Sequence, residues 1–259
     1  MSDAFRPQVL AGKVVFIAGA SSGINLGIAR RLHAEGAKVA IASRKHDKIT
    51  AAAASIAPDV LGLAADVRDY AGIEAALRTA HDRFGPIDIL VSGAAGNFLA
   101  PALGMSANAF KTVIDIDLIG TFNVLRAGFE FLNKPGASAI SITAPQGERP
   151  AMFQAHACAA KAGINMLTQC LGMEWGPLGV RVNAISPGPI ADTEGMARLA
   201  PTPEMEAMVK GRLALRDYGT KDDIAEAVIW LATGASRYVT GTVIDVDGGA
   251  RLGDARSPI

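Results

Sequence analysis

Gly19-Ala20-Ser21-Ser22-Gly23-Ile24-Asn25-Leu26-Gly27 is the stretch whose reading decides the fold. It follows the apolar run Val14–Ala18 and opens a segment with helical spacing near 22–35. A strand that turns into a helix in this way aims free backbone N–H groups and the positive end of a helix dipole at one point, an arrangement suited to pyrophosphate. Small side chains let the backbone come close to such a ligand. A plain strand-to-helix turn has the same composition, so the motif gains its weight from position, first in a series of βα units. Gly19, Ser21, Ser22, Gly23 and Ile24 are accordingly expected to bind a nucleotide.

Outward from this turn, short apolar runs alternate with longer amphipathic stretches, the pattern of a parallel sheet wound with helices. Strands are expected at Val14–Ala18, Val39–Ala42, Val60–Ala64, Ile87–Val91, Ala139–Ile142, Val180–Ile185 and Thr242–Val246. Helices are expected near 22–35, 46–57, 69–84, 106–133, 151–175 and 221–233. Near-continuous apolar content fits strands buried on both faces. The expectation is one α/β domain over residues 1–259, a Rossmann-type doubly wound parallel sheet of about seven strands with helices on both faces. Pro187, Pro189, Pro201 and Pro203 fall in the densest irregular segment, and the stretch near 186–212 is read as a substrate flap.

The second expected strand ends in Ala42-Ser43-Arg44-Lys45. A site for NAD would place an acidic residue here for the ribose 2′-OH, whereas Arg44 suits a 2′-phosphate, so NADP(H) is the expected cofactor. An ordinary exposed loop cation is the alternative. Asp66-Val67, after the third strand, stands where an adenine-edge contact would fall, or Asp66 caps the next helix.

Composition narrows the function classes. The 259 residues carry 25 Lys+Arg against 25 Asp+Glu, and 50% are hydrophobic. A mean hydropathy of +0.26 excludes disorder as the main state. Balanced charge offers no basic surplus for nucleic acid. Cys158 and Cys170 alone make neither a disulfide framework nor a zinc site, and read as reduced, mostly buried thiols; no metal is expected. No run approaches the ~18 apolar residues of a spanning helix. The first residues lack a signal-peptide pattern, and Ser257-Pro258-Ile259 is unlike the Ser-Lys-Leu peroxisomal address. The expectation is cytoplasmic, with neither nucleic acid nor membrane as partner.

These pieces, with Lys161 and the strand-end Ser186-Pro187-Gly188, resemble the short-chain dehydrogenase/reductase family over nearly the whole chain. Val239-Thr240-Gly241 and Val246-Asp247-Gly248-Gly249 look like that family's last strand. Asn25 departs from the pattern, standing where a third Gly is usual, and Asn tolerates positive φ. The resemblance extends the expected cofactor contacts to Ala94, Lys161, Pro187, Gly188, Ile190 and Thr193, and implies a homotetramer. The catalytic motif departs further. Tyr-x-x-x-Lys is common in the family, but His156-Ala157-Cys158-Ala159-Ala160-Lys161 has Ala157 at the Tyr position, and Ala144 stands at that of the usual Ser. Neither methyl group can donate or accept a proton, which argues against ordinary carbonyl reduction.

Within the family, four stretches resemble 2,4-dienoyl-CoA reductases, most closely the peroxisomal type, which also lacks the tyrosine. They are Ala94-Ala95-Gly96-Asn97-Phe98, Asp115 through Thr121, His156 through Lys161, and Pro187-Gly188-Pro189-Ile190 with Thr193-Glu194-Gly195. The resemblance implies NADPH-dependent reduction of a 2,4-dienoyl-CoA to a 3-enoyl-CoA, an auxiliary step in unsaturated fatty-acid β-oxidation. It also implies acyl-CoA contacts at Arg68, Phe98, Ser106, Asn108 and Arg198.

Such a reduction needs a cation or donor beside the thioester oxygen and an acid for the α-carbon. Lys161 can orient the nicotinamide ribose and add positive potential. Asp117 is the candidate acid. On a 100°-per-residue wheel Phe110, Val113, Ile114 and Val124 lie within about 60° of it, while Asp115 falls opposite and pairs with Lys111. A carboxyl on an apolar face is pushed up by desolvation, as a proton donor requires. It would act directly or through one water; a structural Asp accepting backbone hydrogen bonds is the alternative. His156 reads as packing, and Trp175, Trp230 and the Met residues as core or interface. Two other functions stand beside this one: reduction of another enoyl thioester, and a non-catalytic NADP-binding protein in which Ala144 and Ala157 mark lost chemistry.

Overall fold

The computed structural model describes residues 7–256, so Ser257-Pro258-Ile259 and the address reading placed on it lie outside the described residues. Seven strands, β1 (Val14–Ala18), β2 (Lys38–Ser43), β3 (Leu61–Ala64), β4 (Ile89–Ser92), β5 (Ser138–Ile142), β6 (Arg181–Pro187) and β7 (Val243–Val246), pair in one sheet. Their order is β3-β2-β1-β4-β5-β6-β7, with every pairing parallel. The expected strands are all present, with ends shifted by a residue or two.

The helices are α1 (Gly23–Ala34), α2 (His46–Ala54), α3 (Tyr70–Phe84), α4 (Ala107–Ile114), α5 (Gly120–Gly128), α6 (Ala155–Trp175), α7 (Glu194–Leu199), α8 (Pro203–Arg212) and α9 (Lys221–Ala232). Successive strand side chains point to opposite faces. Val15 and Ile17 of β1 therefore join the apolar cluster beneath α1, α2 and α9, while Val14, Phe16 and Ala18 join the one that includes α3, α5 and α6. A strand covered on both sides must be apolar at every position, which is why the unbroken runs marked the sheet correctly.

Two expectations about helices change. The single helix near 106–133 is α4, then a π turn over Asp115–Ile119, then α5 and a short 3-10 turn at Phe129–Phe131. The flap near 186–212 is not wholly irregular, because it carries α7 and α8. Thr193 and Thr202 cap these helices by accepting from the Met196 and Met205 N–H groups. Neither helix buries a residue, so no apolar periodicity betrayed them.

The cysteine expectation is also corrected, since Cys158 is half-buried and Cys170 exposed. The covered face of α6 runs through His156, Ala157, Ala160, Lys161, Ile164, Thr168 and Leu171, and both thiols fall off that stripe. Among the described residues, no helix is long and apolar enough to cross a membrane. The strand order reverses between β1 and β4, which opens a crevice at the carboxyl ends of the strands.

Candidate active site

Four loops meet at that crevice, following β1, β4, β5 and β6. In the first, Gly19 has φ +84°, and a Cβ on it would lie 2.6 Å from the Ala94 Cα. Glycine is thus demanded by the approach of the two loops as well as by the turn. Gly23 has φ +61°, with no atom within 4 Å of where its Cβ would be. Asn25 does not use the positive φ anticipated for it, because it lies inside α1. Instead its Nδ2 donates to the carbonyls of Gly19 at 3.2 Å and Gly93 at 2.8 Å, tying the turn to the end of β4. The Ser22 side chain makes no cap bond and the first turn of α1 holds no acid, so its leading N–H groups are open to an anion. This cradle fits the pyrophosphate of a nicotinamide dinucleotide.

At the ends of β2 and β3, Arg44, Asp66 and Arg68 come together. Arg68 grips Asp66 through both carboxylate oxygens, at 3.0 Å and 2.6 Å. Arg68 first, with Arg44 adding its charge, holds the Asp66 carboxyl below its ordinary range. Arg44 has no ion-pair partner among the described residues, so this corner carries a surplus of positive charge. Asp66 does not cap α3; that position is taken by Asp69, and the Asp66 oxygens are engaged by Arg68.

Asp117 and Lys161 meet at the centre. Asp117 lies in the π turn and is 1% exposed, whereas Asp115 faces outward and pairs with Lys111. The Lys161 ammonium sits 3.3 Å from Asp117 Oδ2 and 3.3 Å from the carbonyl oxygen of Ile142 at the end of β5. The backbone N–H of Gly96, in the loop after β4, donates to Asp117 Oδ1 at 2.7 Å. Burial pushes the Asp117 carboxyl up; the Lys161 charge, the Gly96 N–H and His156 oppose that push without cancelling it. The expected apolar face is real for Val113 and Val124, but Phe110 is 38% exposed.

The remaining expected residues spread around this pair. Ala157 is buried in α6 one turn before Lys161, and Ala144 begins the loop after β5. Val67 is buried, its carbonyl accepting from Asn123. Pro187 ends β6, and Gly188 donates to Val246 at 3.0 Å. Ile190 is buried, and its carbonyl accepts the Thr193 hydroxyl. Ser106 and Asn108 occupy the exposed first turn of α4, where Ser106 Oγ caps the helix by accepting from Ala109. Arg198 is exposed and pairs with Glu194.

Sequence reasoning missed the tertiary role of Gln154, which receives the Asn97 amide at 2.8 Å and so joins the β4 loop to α6. Thr143 donates to Asn165 at 2.7 Å behind Lys161, another link with no motif to mark it. A cavity of about 790 Å³ also opens at the amino ends of the strands, beside Lys13, Arg181 and Arg237, but it touches neither Asp117 nor Lys161. Among the described residues, no group of three His, Cys, Asp or Glu side chains is placed to hold a metal.

The family model described as enoyl-(acyl carrier protein) reductase matches residues 19–251. A peroxisomal 2,4-dienoyl-CoA reductase [(3E)-enoyl-CoA-producing] of Danio rerio is 43% identical, over 97% of this chain and 85% of that protein. The protein of the same description from Pongo abelii is 44% identical, over 96% of this chain and 87% of the relative. A crystal structure of a short chain dehydrogenase from Bacillus anthracis superposes with a TM-score of 0.84 at 35% identity, covering 92% of this chain and 96% of that one.

Proposed function

Because the chain belongs to the short-chain dehydrogenase/reductase family, we propose that it reduces a 2,4-dienoyl-CoA to a 3-enoyl-CoA with NADPH. It is an oxidoreductase acting on a CH–CH group. The observation that carries the substrate reading is the buried Asp117–Lys161 pair standing beside Ala157, where no hydroxyl is available. Carbonyl reduction must protonate an alkoxide oxygen; dienoyl reduction must protonate a carbon and stabilise a remote oxyanion.

When bound, NADPH supplies hydride to the terminal carbon of the diene. The α1 turn, Arg44 and Lys161 are the groups that would hold it, with Ala94, Asp66, Val67 and the segment from Pro187 to Thr193 along its length. Lys161 adds positive potential where the thioester oxygen gains charge. Asp117, whose carboxyl burial pushes above the ordinary carboxylate range, delivers the proton to the α-carbon directly or through one water. The double bonds then collapse to the single C3–C4 alkene. Arg68, Phe98, Ser106, Asn108 and Arg198 are assigned to the acyl-CoA, whose phosphates require cations. NADPH oxidation with a 2,4-dienoyl-CoA, beside a matched 2-enoyl-CoA, tests this directly. Oxidation with neither, by folded protein, removes the enzyme reading; oxidation only with the enoyl substrate moves the assignment to that class.

Cofactor preference follows from Arg44. A charge-assisted hydrogen bond contributes about 1.5–3 kcal/mol, so Arg44→Ala is expected to weaken NADPH about tenfold or more and NADH much less. Titration calorimetry on both nucleotides measures this, and equal native affinities for the two would contradict it. Ala157→Tyr is expected to lower dienoyl-CoA turnover, because a phenol must enter a position that is 4% exposed beside Lys161. Unchanged turnover would displace the substrate from residue 157.

Assembly and compartment complete the reading. Phe110, Ile119 and Phe122 on α4–α5, with Met166 and Met173 on α6, leave apolar surface uncovered, which a homotetramer would bury. Sedimentation as monomer alone would refute it. The cytoplasmic expectation stands against relatives named as peroxisomal, and cell fractionation decides between them.

A further inference from the structure

His156, in the first turn of α6, is fully buried, and among the described residues neither of its ring nitrogens has a hydrogen-bond partner. Its ring stacks on Phe98, with centroids 4.4 Å apart and planes inclined by 30°. It also lies close enough to Asp117 to act on that carboxyl. A leucine or phenylalanine would fill the same space without stranding two polar atoms, so packing does not account for an imidazole here.

A second feature points the same way. α6 begins after Gln154 with no side chain capping its first turn and no acid within it. Its leading N–H groups and dipole therefore favour an oxygen carrying negative charge. The next residue, Ala157, offers no donor of its own. Lys161 and Asp117 are already committed to each other, to Ile142 and to Gly96.

We propose that His156 is a further catalytic residue, whose ring N–H donates to the carbonyl oxygen of the acyl thioester as charge builds there. This rests on the dienoyl-CoA reading above. Phe98 is 40% exposed and lies in the segment 93–101, which contains no regular element, so its ring can turn aside to admit the thioester. The contact makes and breaks no covalent bond. It supplies a donor aimed at the atom where charge develops, the kind of group whose removal slows acyl chemistry by about 10²–10³-fold.

The test uses the full chain with NADP⁺ and a 2,4-dienoyl-CoA, a pair that cannot turn over, and reads the thioester carbonyl stretch by Raman difference spectroscopy. The native protein is expected to lower that frequency relative to free substrate. His156→Phe, which keeps the stack on Phe98, should abolish the lowering and slow single-turnover reduction with NADPH by about 10²–10³-fold. Dienoyl-CoA affinity should change little. His156→Gln, which restores an N–H donor, should recover part of both. A folded His156→Phe protein with the native carbonyl shift and rate overturns the proposal, as does a native complex with no shift. If His156→Phe does not fold, His156→Leu against His156→Gln makes the same comparison. Native protein that oxidises no NADPH with dienoyl-CoA refutes the functional reading, whereas an active native protein indifferent to His156→Phe refutes this contact alone.

Discussion

Asp117→Ala is expected to slow single-turnover reduction of a 2,4-dienoyl-CoA by about 10²–10⁴-fold, the usual worth of a positioned general acid. One carboxyl oxygen accepts from Gly96, the other faces Lys161, and almost none of the side chain meets solvent. Burial is the larger influence on its proton and raises the pKa, so the acid form survives to higher pH than in an exposed aspartate. Turnover should accordingly fall as pH rises through that raised value, because the protonated form is the one consumed. NADPH affinity should stay near native, since the α1 turn, Arg44 and Lys161 are the groups proposed to hold the nucleotide. A purely structural Asp117 predicts the opposite pattern: a lower melting temperature with a folded fraction that remains active. Melting temperature, NADPH dissociation constant and single-turnover rate on one preparation separate the two. A near-native rate in folded Asp117→Ala protein takes Asp117 off the catalytic list.

Lys161→Met should damage two steps at once. Removing the positive potential that Lys161 would add near the thioester oxygen is expected to slow reduction by about 10²–10³-fold. Losing the charge-assisted contact to the nicotinamide ribose should weaken NADPH about tenfold or more. A third consequence concerns Asp117, whose carboxyl the Lys161 charge holds down against the effect of burial. With the ammonium gone, that carboxyl should rise further, and the residual rate should decline at a higher pH than in the native protein. Stopped-flow rates across pH, with a parallel nucleotide titration, read all three. Unchanged NADPH affinity would mean that Lys161 does not hold the ribose. A pH limb that moves downward would mean that its charge does not act on Asp117.

Much of the site was legible from the chain because neighbours in sequence are neighbours in space there. The α1 turn, the Arg44 strand end and the spacing from Ala157 to Lys161 each lie within one βα unit or one helix. The buried face of Asp117 was readable for a similar reason, since an apolar stripe can be counted along a helix. Its exact company was not. Gly96 lies in the loop after β4, Ile142 at the end of β5 and Lys161 in α6, and only the sheet order brings those three to one carboxyl.

The sequence by itself determined the seven-stranded sheet, because strands covered on both faces must be apolar at every position and the turns between them must be polar or glycine-rich. It also set Arg44 and Asp66 at strand ends, where the structure brings them together with Arg68. Tertiary structure decided what local pattern cannot encode. It gave Asn25 a bond to Gly93 in place of a turn conformation, fixed Gly19 against Ala94, and folded part of the 186–212 stretch into two short helices that bury nothing. It also left His156 buried beside Phe98, its ring nitrogens without a hydrogen-bond partner among the described residues. Each of these depends on contacts between segments distant in the chain, and such contacts leave no periodicity to read.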